Sequence, residues 1–260
     1  MEGEETKTGT EPPKKKTLVL YVFHEFHHRV QYFIDHALFE DDSVDFLFIC
    51  NNRSIVFDCP AYVRRLYRDN TGYDFGGWSE GLFTDDLYRG YDHFIFVNSS
   101  VVGPFLPSYH GLRRWTDIYI ENLKGDVKLF GSTINSCIHY LKQILFHVQS
   151  YIFAMDRETL DYLIGCEIFS LTNNSNVFHD VIIQKEIGMS QAILRNGWNI
   201  GSLLPHYRGA DIRDPSAMTQ EILDDIAFQP YYNVLWNEYD VVFVKGNRIN
   251  VDAAIKKMHC

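Results

Sequence analysis

Long apolar runs are missing from this 260-residue chain. None approaches the ~20 residues of a membrane-spanning helix, and the N-terminus lacks the apolar core of a signal peptide, so a cytoplasmic protein without a transmembrane segment is expected. Cysteine is sparse. The five residues (Cys50, Cys59, Cys137, Cys166, Cys260) are odd in number and show no C-x-x-C spacing, which argues against a disulfide or zinc framework. Cationic residues are also short, 24 Lys and Arg against 34 Asp and Glu, giving a net charge of −10. A protein that binds mainly nucleic-acid phosphate needs clustered Lys and Arg, so no nucleic-acid partner is expected, and an anionic ligand must be met by a few local cations. Internal repeats and dividing linkers are absent too.

What is present points to a packed domain. Hydrophobic residues make up 46% of the chain, with 19 Phe and 16 Tyr, which excludes a disordered polymer. Residues 1–16 (MEGEETKTGTEPPKKK) are charged, contain proline and have no periodicity, as in a flexible tail. From Thr17 onward short apolar runs alternate with amphipathic stretches, the pattern of an α/β domain. TLVLYVF (17–23) predicts a buried strand; the spacing of Val30, Phe33, Ile34, Ala37 and Leu38 predicts a helix; and VDFLFIC (44–50) predicts a second strand ending at Asn51-Asn52. Further strands are expected at HFIFVN (93–98), DVKLFGS (126–132), HVQSYIFAM (147–155) and VVFVK (241–245), with a helix MSQAILRNGW (189–198) closed by Gly197.

One motif tests the reading. His24-Glu25-Phe26-His27-His28 matches H-E-x-x-H, the zinc-hydrolase pattern, but that chemistry needs both histidines on one helical face. Here the motif follows a strand directly, so His24 and Glu25 fall at a strand end and His27 and His28 at the start of a helix. In an open α/β sheet ligands bind beyond the carboxyl ends of strands, which is where His24, Glu25, Asn51 and Asn52 are placed.

The most informative stretch is Arg68-Asp69-Asn70-Thr71-Gly72-Tyr73-Asp74-Phe75-Gly76-Gly77-Trp78, followed by Tyr91-Asp92-His93-Phe94-Ile95-Phe96-Val97-Asn98-Ser99-Ser100-Val101-Val102-Gly103-Pro104-Phe105. Its glycines would let backbone amides approach a ligand, with Asn70 and Asp74 adding directional polar groups. The pattern N-x-G-Y-D-F-G-x-W, then Y-D-x-(apolar)-N-(D/S)-S-V-x-G-P-F, resembles the rhamnan-synthesis F type of glycosyltransferase, a family with related sequences in bacterial polysaccharide clusters and large algal viruses. The resemblance extends through His147-Val148-Gln149-Ser150-Tyr151, Glu186-Ile187-Gly188-Met189-Ser190 and Phe243-Val244-Lys245.

That resemblance implies a GT-A-like single domain over 17–260, a central, mostly parallel twisted sheet flanked by helices. A nucleotide-sugar-binding half (17–107) would precede an acceptor-binding half (108–260). It implies transfer of a sugar, a deoxyhexose or pentose such as rhamnose or xylose, from a UDP- or dTDP-linked donor to a glycan acceptor. His24, Glu25, Asn51 and Asn52 would meet the nucleoside, and Asn70, Gly72, Asp74 and Gly77 would lie along the nucleotide and donor sugar. Turns would also explain Asn51-Asn52 and Asp74. Asn98-Ser99-Ser100 stands where many such enzymes carry Asp-x-Asp for a divalent ion. Amide and hydroxyl oxygens are poor Mn²⁺ or Mg²⁺ ligands, so metal dependence is left open, with Lys245 and Arg248 as cationic substitutes at the diphosphate. Glu186, read as preceding the last helix, is the candidate base of an inverting transfer; a first-turn glutamate on the helix dipole is the alternative. Trp78, His147 and Gln149 are the candidate acceptor contacts. A catalytically inactive binding protein of the same fold is the competing reading.

Overall fold

The structure is a computed structural model that describes residues 15–108, 111, 113–138, 143–214 and 238–246. Arg248 lies outside the described residues. β1 (Thr17–Phe23) is buried along its whole length. Strands covered on both faces read as continuous β-branched and aromatic runs, and β1 accordingly lies between two parallel neighbours, β2 (Val44–Cys50) and β4 (His93–Asn98). β3 (Arg64–Tyr67) extends the sheet beside β2. On the other side come β9 (Ile152–Asp156), β6 (Val127–Gly131) and β10 (Asn199–Ser202), giving the order β10-β6-β9-β4-β1-β2-β3. Every neighbouring pair is parallel except the two made by β9.

The two faces of the sheet carry separate cores. α1 (His28–Ala37) lays Val30, Phe33 and Ala37 over Val19, Tyr21 and Phe48, joined by Trp115 and Tyr119 of α3 (Trp115–Ile120). The opposite face holds α2 (Tyr73–Phe83), α4 (Arg157–Gly165) and α6 (Gly188–Arg195), whose apolar side chains meet Leu20, Val22, Phe96 and Phe153. α6 ends as its sequence predicts, with Gly197 in the left-handed region (φ 79°).

Three expectations need correction. The glycine-rich stretch is a helix, α2, and not an open turn. A Cβ on Gly77 would sit 2.8 Å from Val22 Cγ2, and one on Gly81 2.8 Å from Ile49 Cδ1, so these glycines let the helix press onto β1 and β2 rather than admit a ligand. HVQSYIFAM is two strands: β8 (Gln143–Val148) pairs with β7 (Ile134–Ile138), and the chain turns at 149–151 before entering β9. In VVFVK only Val244–Lys245 is a strand, β11, paired with β5 (Val101–Val102); Val241 ends the helix α7 (Glu238–Val241). α5 (Phe178–Val181) continues through a π-helical turn (Ile182–Ile187) into α6, so helical turns run unbroken from Phe178 to Arg195.

Candidate active site

Because β1, β2 and β4 run parallel, their carboxyl ends share one edge of the sheet, the edge at which ligands meet α/β folds. Two polar clusters stand there. The first surrounds Asn51, which is 2% exposed. Its Oδ1 accepts from Arg68 Nη1 (2.8 Å), and its Nδ2 donates to Asn70 Oδ1 and to the Tyr73 carbonyl, both at 3.1 Å. Arg68, also buried, donates through Nε to Glu80 (2.7 Å) and through Nη2 to the Thr71 carbonyl (2.7 Å). The Asn51 amide is saturated. It holds β2, the 68–72 loop and α2 together, and the Asn51 side chain has no polar hydrogen left for a nucleoside. Asn52 caps a local turn, its Oδ1 accepting from Ser54 N (3.0 Å). His24 is exposed, and its Nδ1 donates to the Asn51 carbonyl (2.9 Å); the next residue, Glu25, is exposed as well. These two remain accessible at the strand end.

The second cluster lines a cavity of about 230 Å³. Asp74, Asn98, Ser100, Ser150, Glu186 and Lys245 form its polar side; Tyr73, Phe75, Phe178, Val181 and Ile182 form its apolar side. Asn98, the last residue of β4, donates through Nδ2 to Asp74 Oδ2 (3.0 Å), while its Oδ1 accepts from Ser100 N (3.0 Å). Burial pushes the Asp74 carboxyl up to about 6; the Asn98 hydrogen bond and Lys245 oppose the rise, and Glu186 adds to it. Gly246 N donates to the Ser100 carbonyl (2.6 Å), fixing β11 and Lys245 against this strand end.

Glu186 is the best-held carboxylate of the cavity. Its Oε2 accepts from Ser150 N (3.1 Å) and from the Ser150 hydroxyl, and its Oε1 lies 3.7 Å from His147 Nε2. His147 Nδ1 donates to the Leu145 carbonyl (3.0 Å). Glu186 does not head a helix, which removes the helix-dipole reading. It sits in the π-helical turn, where one extra residue per turn sends Lys185 and Ile187 into the interior and leaves Glu186 on the cavity.

The sequence expectations divide accordingly. Asp74, Asn98, Ser100, Glu186 and Lys245 are brought together in one cavity. Ser99 is beside it, its carbonyl accepting from Arg29 Nε (3.2 Å). Asn70, Gly72 and Gly77 belong to the scaffold around α2, with Gly72 N donating to Asn176 Oδ1 (3.1 Å). The acceptor contacts are corrected. Trp78 has no exposed surface and packs edge-on against Phe75, Phe96 and Phe153; His147 is 4% exposed and reaches the cavity only through Glu186; Gln149 is buried and accepts from Thr133 Oγ1 (2.7 Å). Ser150, Tyr73 and Phe178 were missed. Tyr73 and Ser150 stand inside the quoted motifs, but their roles depend on distant partners: Ser150 meets Glu186 across 36 residues, and Tyr73 meets Phe178 across more than a hundred. Arg29 was missed too, although a cation next to His27-His28 at a strand end was a readable signal.

Residues 52–229 match the model of the family named rhamnan synthesis protein F. The chain belongs to that family. A virulence protein, VirA of Vibrio anguillarum, is 29% identical over 106 residues, a match that covers 40% of this chain and only 29% of that relative's length. Among solved structures, a glycosyltransferase involved in glycosylation of the major capsid of PBCV-1 aligns at 10% identity, covering 94% of this chain and 98% of that one, with a TM-score of 0.36. The glycosyltransferase GlyE of Streptococcus pneumoniae TIGR4 aligns at 12% identity over 94% of this chain and 63% of that one, with a TM-score of 0.38. Among the described residues no helix is long and apolar enough to cross a membrane, and no group of three His, Cys, Asp or Glu side chains is disposed to hold a metal ion.

Proposed function

We propose that the protein transfers a sugar from a nucleoside-diphosphate donor to a glycan acceptor with inversion, using Glu186 as the base. The observation that carries this reading is the carboxylate of Glu186, oriented by both Ser150 donors, in one cavity with Asp74 and Lys245. As the acceptor hydroxyl attacks the anomeric carbon, its proton passes to Glu186 and the bond to the diphosphate breaks, the electron pair leaving with the phosphate oxygen. Lys245, beside Ser100, meets the developing negative charge. Asp74 is placed to accept from donor-sugar hydroxyls when ionised. His24 and Glu25, exposed at the end of β1, suit ribose and base recognition. A UDP- or dTDP-linked deoxyhexose or pentose, with rhamnose and xylose as the leading candidates, is the donor class this reading favours.

A divalent ion would supply charge neutralisation at the diphosphate. The donor set gives it little: Asp74 and Glu186 are the carboxylates on the cavity, and Asn98 and Ser100 offer amide and hydroxyl oxygens. We therefore expect Mn²⁺ or Mg²⁺ to arrive with the nucleotide rather than stay bound to the protein. Excess chelator should slow turnover without abolishing it, and complete loss restored by Mn²⁺ would reveal a protein-held ion.

The direct test is release of free nucleotide from UDP- and dTDP-sugars by the purified protein and by Glu186→Gln. Release by the first, loss in the second and retained nucleotide binding in both support the proposal. Binding without release by the wild type would instead support an inactive sugar-nucleotide-binding protein.

A further inference from the structure

The cavity has an apolar wall that the reaction outlined above does not use, and its outer part is built in an unusual way. Phe178 is 63% exposed, with Val177 (56%) beside it, whereas Phe75, Trp78, Phe96 and Phe153 of this face are buried. Ligand sites combine apolar and aromatic lining with a few polar groups, as this cavity does. Phe178 is not loose: its ring lies edge-on to Tyr73 at a centroid distance of 5.6 Å. Tyr73 occupies the left-handed region (φ 51°) immediately after Gly72 (φ 73°), a conformation that a bulky residue adopts only when its surroundings impose it. Here the Tyr73 hydroxyl donates to the Asn176 carbonyl (3.1 Å), and Gly72 N donates to the Asn176 side chain. Two distant segments, the start of α2 and the loop before α5, are thereby tied so that both rings line the mouth of the cavity.

We propose that Tyr73 and Phe178 form an aromatic lip that takes the C–H face of the acceptor sugar ring. Phe178, Ile182 and Glu186 follow one another at intervals of four residues along the same helical run and line the same cavity. The base must touch the acceptor hydroxyl, so the wall that carries the base is the acceptor's wall, while Lys245 and Ser100 line the phosphate side. A pyranose presents an apolar face and a rim of hydroxyls, which matches aromatic rings that share a cavity with the Glu186 carboxylate. The acceptor contact assigned to Trp78 from the sequence thus passes to two residues on the rim.

This inference rests on the transferase reading, and the experiment separates the two. Saturation-transfer NMR with methyl α-L-rhamnoside and methyl β-D-xyloside probes the lip directly, alongside nucleotide release by the wild type. The lip predicts transfer to the ring C–H protons, about 3- to 10-fold weaker binding in Phe178→Ala, and recovery in Phe178→Trp. Phe178 is exposed, so the alanine variant should fold. No transfer to either glycoside, or equal binding by Phe178→Ala, overturns the lip even if nucleotide is released. Transfer that depends on Phe178 without any nucleotide release sustains the lip as a sugar site and overturns the transferase reading.

Discussion

The Asn51–Arg68 network and the Asp74–Glu186 cavity occupy the same edge of the sheet and draw on the same kinds of residue, yet they are used in opposite ways. Around Asn51 each buried donor and acceptor named above finds a protein partner, so the polar groups add directional fixing to the packing of α2. Around Glu186 the partners stop one short: Ser150 holds one oxygen while the other side of the carboxylate meets a cavity shared with Asp74 and Lys245. Position at a strand's carboxyl end therefore does not distinguish scaffold from site. Leftover hydrogen-bonding capacity does.

The sharpest break between the two clusters should come from Glu186→Gln. Loss of the base is expected to lower turnover about a thousandfold, with a melting temperature close to that of the wild type, since the amide oxygen can still accept from Ser150. Arg68→Met should do the reverse. It leaves the Asn51 oxygen and the Thr71 carbonyl without their donor and costs about 3 kcal/mol in urea unfolding, while turnover per folded molecule is preserved.

A smaller effect sharpens the comparison through pH. Burial raises Asp74 from 3.8 to about 6, so between those values the folded protein holds a proton that the unfolded chain has released. The stability this proton contributes is complete below pH 3.8 and is lost as pH rises through 6. Asp74→Asn, neutral throughout, should therefore gain on the wild type by on the order of 1–2 kcal/mol between pH 4 and pH 7. Chemical denaturation across that range would show it, and a difference that does not vary with pH would remove the raised carboxyl from the account. The least effect is expected of His24→Ala. This exposed side chain makes one hydrogen bond, to the Asn51 carbonyl, so stability should change by less than about 0.5 kcal/mol and nucleotide affinity by only severalfold.

Much of this was legible in the sequence because it is local. The β1–α1–β2 opening, the strand at 93–98, the closure of α6 at Gly197 and the rejection of HEFHH as a zinc helix follow from periodicity and neighbouring residues. The resemblance to the family then brought Asp74, Asn98, Ser100, Glu186 and Lys245 forward, and the fold gathers them into one cavity. What could not be read is pairing across the chain. Asn51 looked available because Arg68 was not known to face it, and Trp78 looked like a sugar platform because nothing local shows that Phe96 and Phe153 enclose it. The glycines of α2 read as a loop because close helix–sheet approach and ligand approach require the same residue. The π-helical turn was equally hidden, since it changes which face Glu186 occupies without any change in composition.

The central claim is that the cluster around Glu186, not the one around Asn51, receives the nucleotide sugar. Mapping amide chemical shifts during titration with UDP and dTDP tests it most directly. The account predicts perturbations concentrated at Asp74, Asn98 to Ser100, Ser150, Glu186 and Lys245, with weaker ones at His24 and Glu25 and none at Glu80, on the far side of the Arg68 network. Shifts confined to the Arg68–Glu80 side, or to the separate cleft lined by Asn122, Asn199 and Arg208 next to β6 and β10, would contradict it.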